Sequence, residues 1–233
     1  MTTSVLQERP DAARQDVRPN ESLLVPVLLI FTVVTGLVDA TTYLGLGRVF
    51  AANMTGNIVL LGFALADAGG ISATASLVSL AAFLIGSAAG GALARNLETD
   101  RRRWVGTALL LETLGLCLAA AGAALALSGY VIVAVLAIAM GVRNATVRRL
   151  GVPDLTTTVL TMTLTGLGAE TIGGVGSRRV AARRTASVVA MLLGALVGAL
   201  LLNYALVAPL ALAGGLLVLT TAAFLLAGRA DTH

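Results

Sequence analysis

Lysine is absent from this chain of 233 residues, histidine and cysteine each occur once, aromatic residues make up 4%, and charged residues 12%. Each shortage removes a class of function. The lone Cys117 excludes an internal disulfide and a cysteine metal cluster, and the lone histidine is His233, the last residue. Histidine catalysis and histidine-rich metal sites therefore have no foundation here, and no cofactor is expected. No HExxH motif, serine–histidine arrangement or pair of carboxylates at catalytic spacing is present, so no enzyme is expected. The net charge of +4 comes from sixteen arginines against twelve acids. In so apolar a chain that balance points to membrane topology and lipid headgroups, and no nucleic-acid partner is expected.

What the chain has instead is hydrophobic length. It is 57% hydrophobic, with a mean hydropathy of +0.92, far more apolar surface than one soluble core of this size buries. Residues 1–22 mix Arg9, Arg14 and Arg18 with Asp11, Asp16 and Glu21, and read as a disordered cytoplasmic tail. A membrane domain follows over 23–228, with 229–233 as a short second tail. Charges and Gly/Pro clusters divide the domain into apolar segments at 23–45, 51–67, 72–94, 104–127, 130–147, 155–170, 185–205 and 207–228.

A bilayer core of about 30 Å needs about 20 helical residues. The segments at 51–67 and 155–170 are the shortest, and both open with polar residues. If every segment crossed with the N-terminus inside, the arginines would divide evenly between the two faces. If those two re-enter, only Arg48 is left outside, as the positive-inside rule expects. The expected architecture is an all-α polytopic membrane helix bundle with six spanning helices, two re-entrant half-helices and both termini cytoplasmic, in a bacterial inner membrane.

The chain also repeats itself. GLVDATTYLGLG at 36–47 resembles GVRNATVRRLG at 141–151, aligning Gly36 with Gly141, Asp39 with Asn144, Ala40 with Ala145 and Thr41 with Thr146. Some sixteen residues on, Thr55-Gly56-Asn57 answers to Thr161-Met162-Thr163. FLIGSAAGGAL at 83–93 answers to MLLGALVGALL at 191–201, placing Gly86 over Gly194 and Gly90 over Gly198. With three crossings in the first half (about 23–127), the second (about 130–228) runs upside down. This is an inverted repeat, an architecture that places transport sites between halves near the bilayer midplane.

The most polar stretch in the apolar region is NMTGN, 53–57. Non-helical backbone at membrane depth needs protein or a wet cavity to satisfy it. Asn53, Thr55 and Asn57 supply side-chain partners and a helix N-cap, and Gly56 permits close backbone approach. A half-helix starting there points free N–H groups and the positive end of its dipole inward, suited to a carboxylate, another anion or a polar solute. Thr156, Thr157, Thr158, Thr161 and Thr163 offer the same from the other half. The alternative is that these residues only cap and join packed helices.

The pattern Gly36, Asp39, Phe50, Asn53, Thr55, Gly56 and Asn57 resembles the signature of the YoaK family, uncharacterised bacterial inner-membrane proteins classed under a domain of unknown function. The resemblance covers roughly 25–228 and implies a multi-pass protein usually counted as six spans, with no established substrate. Where the family's second half tends to Thr-Gly-Thr, this chain has Thr161-Met162-Thr163.

Three charges fall in the interior of apolar segments, away from their ends. Asp39 is either an interfacial carboxylate paired with Arg48 or a group lining a cavity. Glu112 and Arg143 lie at nearly the same depth on successive helices, and an ion pair between them, with Asn144 adjacent, is expected. Such a pair locks two helices together; a Glu112 facing water would instead serve proton coupling. Gly86, Gly90, Gly194 and Gly198 form small-xxx-small packing faces, joining either the halves or two protomers of a homo-oligomer. The leading functional expectation is a transporter or channel for a small polar or anionic solute. The runner-up is a scaffold, sensor or chaperone working by protein contact.

Overall fold

The structure is a computed structural model and describes residues 21–150, 160–172 and 177–230. Among these residues every regular element is helical: α1 Glu21–Gly45, α2 Met54–Leu65, α3 Ala73–Asn96, α4 Arg101–Ala124, α5 Gly129–Leu150, α6 Leu160–Gly166 continuing as a π-helical turn Leu167–Ile172, α7 Arg178–Leu202 and α8 Val207–Ala230. Residues 1–20, which include most of the expected N-terminal tail, lie outside the description.

Six stretches are long and apolar enough to cross a membrane: Pro26–Gly45, Ala73–Asn96, Arg101–Ala124, Gly129–Leu150, Arg178–Leu202 and Val207–Leu226. The polytopic helical bundle expected from the sequence is what forms. The 12 residues of α2 reach only about 18 Å, well short of a bilayer core of about 30 Å. Polar residues set the helix starts: the side chains of Asn53, Ser72, Asp100 and Ser177 accept the backbone N–H groups of Gly56, Ala75, Arg103 and Arg179. Apolar length alone does not delimit these helices; the caps do.

The segment around α2 goes in and comes back. Arg48, just after α1, donates from its guanidinium to the Gly69 carbonyl, just after α2, at 3.1 Å. Between those two points the chain dips until the N–H groups of Ala51 and Ala52 reach Asp39, six residues or about 9 Å before the end of α1. A connection that starts and ends at one end of the bundle and touches depth between is hairpin-shaped. Asp67, at φ 52, terminates α2 in the left-handed region as Ala68 N–H returns to the Phe63 carbonyl at 3.0 Å.

Helix directions follow from contacts. Along α1 and α7, Val33 meets Gly194 and Leu37 meets Gly198, so the two run parallel; along α3 and α5, Gly86 meets Ile138 and Gly90 meets Val142, so these also run parallel. Helices α1 and α5 run in opposite directions, because Arg143 reaches Phe31 and Thr35 whereas Gly129 approaches Leu46. The core lies mainly between α1, α4, α5 and α8, around Val34, Leu37, Leu116, Leu136, Met140, Leu210 and Leu217. Helices α3 and α7 flank it, with 28% and 22% of their apolar stretches buried against 61% for α1 and α5.

The four spaced glycines join the halves. A Cβ on Gly86 would collide with the Ile138 carbonyl, and one on Gly194 with the Val33 carbonyl; at Gly36 it would sit 2.5 Å from the Met191 carbonyl oxygen, and at Gly141 it would collide with that of Phe83. Backbones meet here with no room for a side chain, as small-residue helix faces in membranes allow. Gly90 and Gly198 continue the two seams: a Cβ on either would lie 3.0 Å from the Cβ of Ala145 and of Ala40, respectively.

Candidate functional site

The polar motif builds its own entry turn. Asn57 is fully buried; its amide oxygen accepts Phe50 N–H at 2.8 Å, and its nitrogen donates to the Phe50 carbonyl at 2.7 Å and to Ser79 Oγ at 3.1 Å. Ser79 also donates to that carbonyl, at 2.6 Å. The side chain thus replaces the backbone partners that an irregular stretch at depth lacks. Asn57 was expected to face a solute; its hydrogen-bonding capacity is spent on the turn and it does not line the cavity described below. Gly56 has a packing reason: a Cβ there would lie 2.8 Å from the Phe50 ring.

That ring stacks on Tyr43, with centroids 4.9 Å apart and planes 18° from parallel. Beside it Asp39 Oδ1 accepts the N–H groups of Ala51 at 3.2 Å and Ala52 at 3.0 Å. The alternative pairing of Asp39 with Arg48 does not form, since Arg48 turns outward to Gly69. Asp39 is 95% buried, and its second oxygen accepts no hydrogen bond from the described residues.

These groups border a cavity of about 500 Å³. Its wall includes Thr35, Asp39 and Tyr43 from α1, Asn53, Thr55 and Gly56 from the start of α2, Leu160 and Thr161 from the start of α6, and Met191 from α7. The beginnings of the two short helices, more than one hundred residues apart in sequence, therefore face one space. Of the expected site residues, Asp39, Asn53, Thr55, Gly56 and Thr161 meet there. Thr163 is buried further along α6 and does not line the cavity. Asn144, on α5, does not line it, and its buried amide nitrogen has no hydrogen-bond partner among the described residues. Thr158, with Thr156 and Thr157, lies outside the described residues.

Glu112 and Arg143 form the expected pair. Arg143 donates to Glu112 Oε1 at 3.1 Å, with both side chains 1% exposed, and also to the Phe31 carbonyl at 3.2 Å and Thr35 Oγ1 at 2.7 Å. Glu112 therefore locks α4 to α5 and does not face the cavity; the water-facing alternative is not what forms. Thr35 is the link between this pair and the cavity wall, a role that nothing in its sequence surroundings announces. Phe50, Tyr43 and Met191 are also wall residues that motif spacing does not reveal, because it takes the packed turn to bring them together.

Beyond α6, Arg184 of α7 pairs with Glu170 of the π-helical turn at 2.7 Å. It packs against Gly166, where a Cβ would lie 2.7 Å from the guanidinium carbon. This ion pair fixes the far end of α6.

Comparison with known proteins places this geometry in a family. The chain is 34% identical over 155 residues to the UPF0700 transmembrane protein YoaK of Bacillus subtilis (strain 168), covering 64% of this chain and 67% of that protein. No solved structure matches it. Residues 27–223, from the first buried turn of α1 to the last buried turn of α8, match one family throughout, and the chain is thus a multi-pass membrane protein belonging to the family described as "Protein of unknown function (DUF1275)".

Proposed function

We propose that the protein is a transporter or channel passing a small polar solute across the bacterial cytoplasmic membrane, with both termini on the cytoplasmic side. The observation that carries this reading is the 500 Å³ cavity walled jointly by the starts of α2 and α6, with Asp39 at its edge. Short helices that begin at depth, on opposing segments of the chain, are how membrane transporters build solute sites near the midplane.

An inverted repeat supports the same reading. Exchanging α1 with α5, and α3 with α7, turns the Gly36–Met191 approach into Gly141–Phe83, and Gly194–Val33 into Gly86–Ile138. It equally turns Gly198–Ala40 into Gly90–Ala145. The exchanged helices α1 and α5 run in opposite directions, which is what two halves inserted upside down to each other require. The most closely packed units are then α1 with α7 and α3 with α5, each combining one helix from either half. Rocking of one such unit against the other would open the site to alternate sides.

The anionic branch of the expectation has less support than the polar one. Among the described residues the cavity wall carries one carboxylate and no basic side chain. Purified protein in liposomes should pass at least one small polar solute, and Thr55→Val or Asp39→Ala should lower the rate at least several-fold. Absence of flux for every solute tried, with both variants folded, would overturn the transport reading and leave a contact-based scaffold in its place.

A further inference from the structure

We infer that the cavity takes a small organic cation, an ammonium- or guanidinium-headed molecule, held by Asp39 and the stacked rings of Tyr43 and Phe50. The inference rests on the cavity reading above and names its occupant.

Charge balance sets the sign of the occupant. Among the described residues three ionisable groups lie buried in this region: Asp39 at the cavity, and Glu112 with Arg143 behind Thr35. Glu112 and Arg143 neutralise each other at 3.1 Å. The three groups together carry one net negative charge, and Asp39, 95% buried, has no counter-ion in contact with it among the described residues. Its Oδ1 is engaged by Ala51 and Ala52, while Oδ2 has no partner among the described residues and is not sealed within the protein. That oxygen is therefore open to the cavity that Asp39 lines. A buried carboxylate with a free oxygen in a low-dielectric wall is matched by a cation.

The opposing field is smaller. The start of α2 presents about half a positive charge, fading within a turn, and Asn53 already accepts one of its N–H groups, that of Gly56. Helix α6 has only 7 residues before its π-helical turn and adds little. Among the described residues the net sign at the wall stays negative, and a carboxylate solute would meet Asp39 with no basic side chain on the wall to offset it.

The walls select an organic cation over a bare metal ion. Tyr43 and Phe50 both line the cavity and stack on each other, and aromatic rings attract ammonium and guanidinium groups. Val59, Leu60, Leu160 and Met191 complete an apolar surround for carbon substituents. Hard metal ions need several oxygen ligands, and no cluster of three metal-binding side chains occurs among the described residues. The repeat adds a distinction: the position equivalent to Asp39 is the neutral Asn144, so the charge belongs to one half only.

The test uses shape-matched probes on purified full-length protein in nanodiscs: choline, its neutral isostere 3,3-dimethyl-1-butanol, and the carboxylate 3,3-dimethylbutyrate, with methylguanidinium as a second cation. Calorimetric binding should favour a cation over the neutral isostere by about tenfold or more, with no binding of the carboxylate. Asp39→Asn, which keeps an oxygen for Ala51 and Ala52, should abolish that margin. Should that variant not fold, Tyr43→Leu serves, and it should weaken the cation more than the isostere. Equal or tighter binding of the neutral or anionic probe, or no binding of either cation, overturns the inference. Flux of the same probes in liposomes separates the two readings. Cation binding without flux removes transport and keeps the site, whereas flux of the neutral or anionic probe alone keeps transport and removes the cation.

Discussion

Arg143 on α5 donates to Glu112 on α4 across 3.1 Å, and neither side chain is more than 1% exposed. The geometry makes each the other's counter-ion, and removing one leaves a bare charge where water does not reach. Glu112→Ala should therefore cost about 3 kcal/mol or more of stability, and Glu112→Gln less, because an amide oxygen still accepts from Arg143. The double variant Glu112→Leu/Arg143→Met should recover much of that loss. Thermal unfolding in detergent measures all three; a double variant no better than Glu112→Ala would refute the pairing.

Close backbone seams make a second, sharper set. Gly86→Val and Gly194→Val each push a side chain into a neighbouring carbonyl and should cost about 3 kcal/mol or more, with the helix pair forced apart. Gly62→Ala and Gly215→Ala meet nothing within 4 Å and should be neutral, or stabilising by up to about 1 kcal/mol through helix propensity. Matching losses at the two seam positions, 108 residues apart, would express the equivalence of the halves; the same unfolding assay reads it.

Asn57→Ala should loosen the entry turn. It strands the N–H of Phe50, leaves the Phe50 carbonyl to Ser79 alone and removes a partner of Ser79, a loss of about 2 kcal/mol or more. Hydrogen exchange over residues 50–57 should rise while the helix seams stay protected. Unchanged exchange there would mean that Asn57 is not the pin.

Topology offers a direct measurement. With Cys117 replaced, single cysteines at 47, 68 and 128 should react with an impermeant thiol reagent from one face of the membrane, and a cysteine at 98 from the other. Residue 68 lies beside the Arg48–Gly69 bond, at the end of the bundle where α5 begins. Labelling of 47 and 68 from opposite faces would show that α2 crosses.

How much of this was legible in the sequence varies with the range of the interaction. Apolar runs of spanning length, their charged and Gly-rich interruptions and the biased arginines are local properties, and hydropathy alone delivered the bundle and its six long helices. The second and sixth segments stood apart as the shortest, each opening with polar residues, and the 12 residues of α2 match that reading for the second. The glycine pairs were visible as spacing, but not their partners: whether Gly86 meets Ile138 or a second protomer depends on which helices lie side by side.

The division is clearest at NMTGN. Sequence placed polar groups at depth and left open what they do, since an asparagine's donors and acceptors serve a solute or its own backbone equally well. Folding decided it by distance: Asn57 is consumed by Phe50 and Ser79, Asn53 caps α2, and beside Tyr43 and Phe50 one oxygen of Asp39 accepts nothing from the described residues. Likewise the sequence set Glu112 and Arg143 at one depth, while only packing turned them toward each other and away from the cavity. Solvation energy per residue is written along the chain and so determines which segments enter the membrane. Hydrogen bonds and ion pairs act over about 3 Å between residues distant in sequence, so the partners of the buried polar groups exist only once the helices have met.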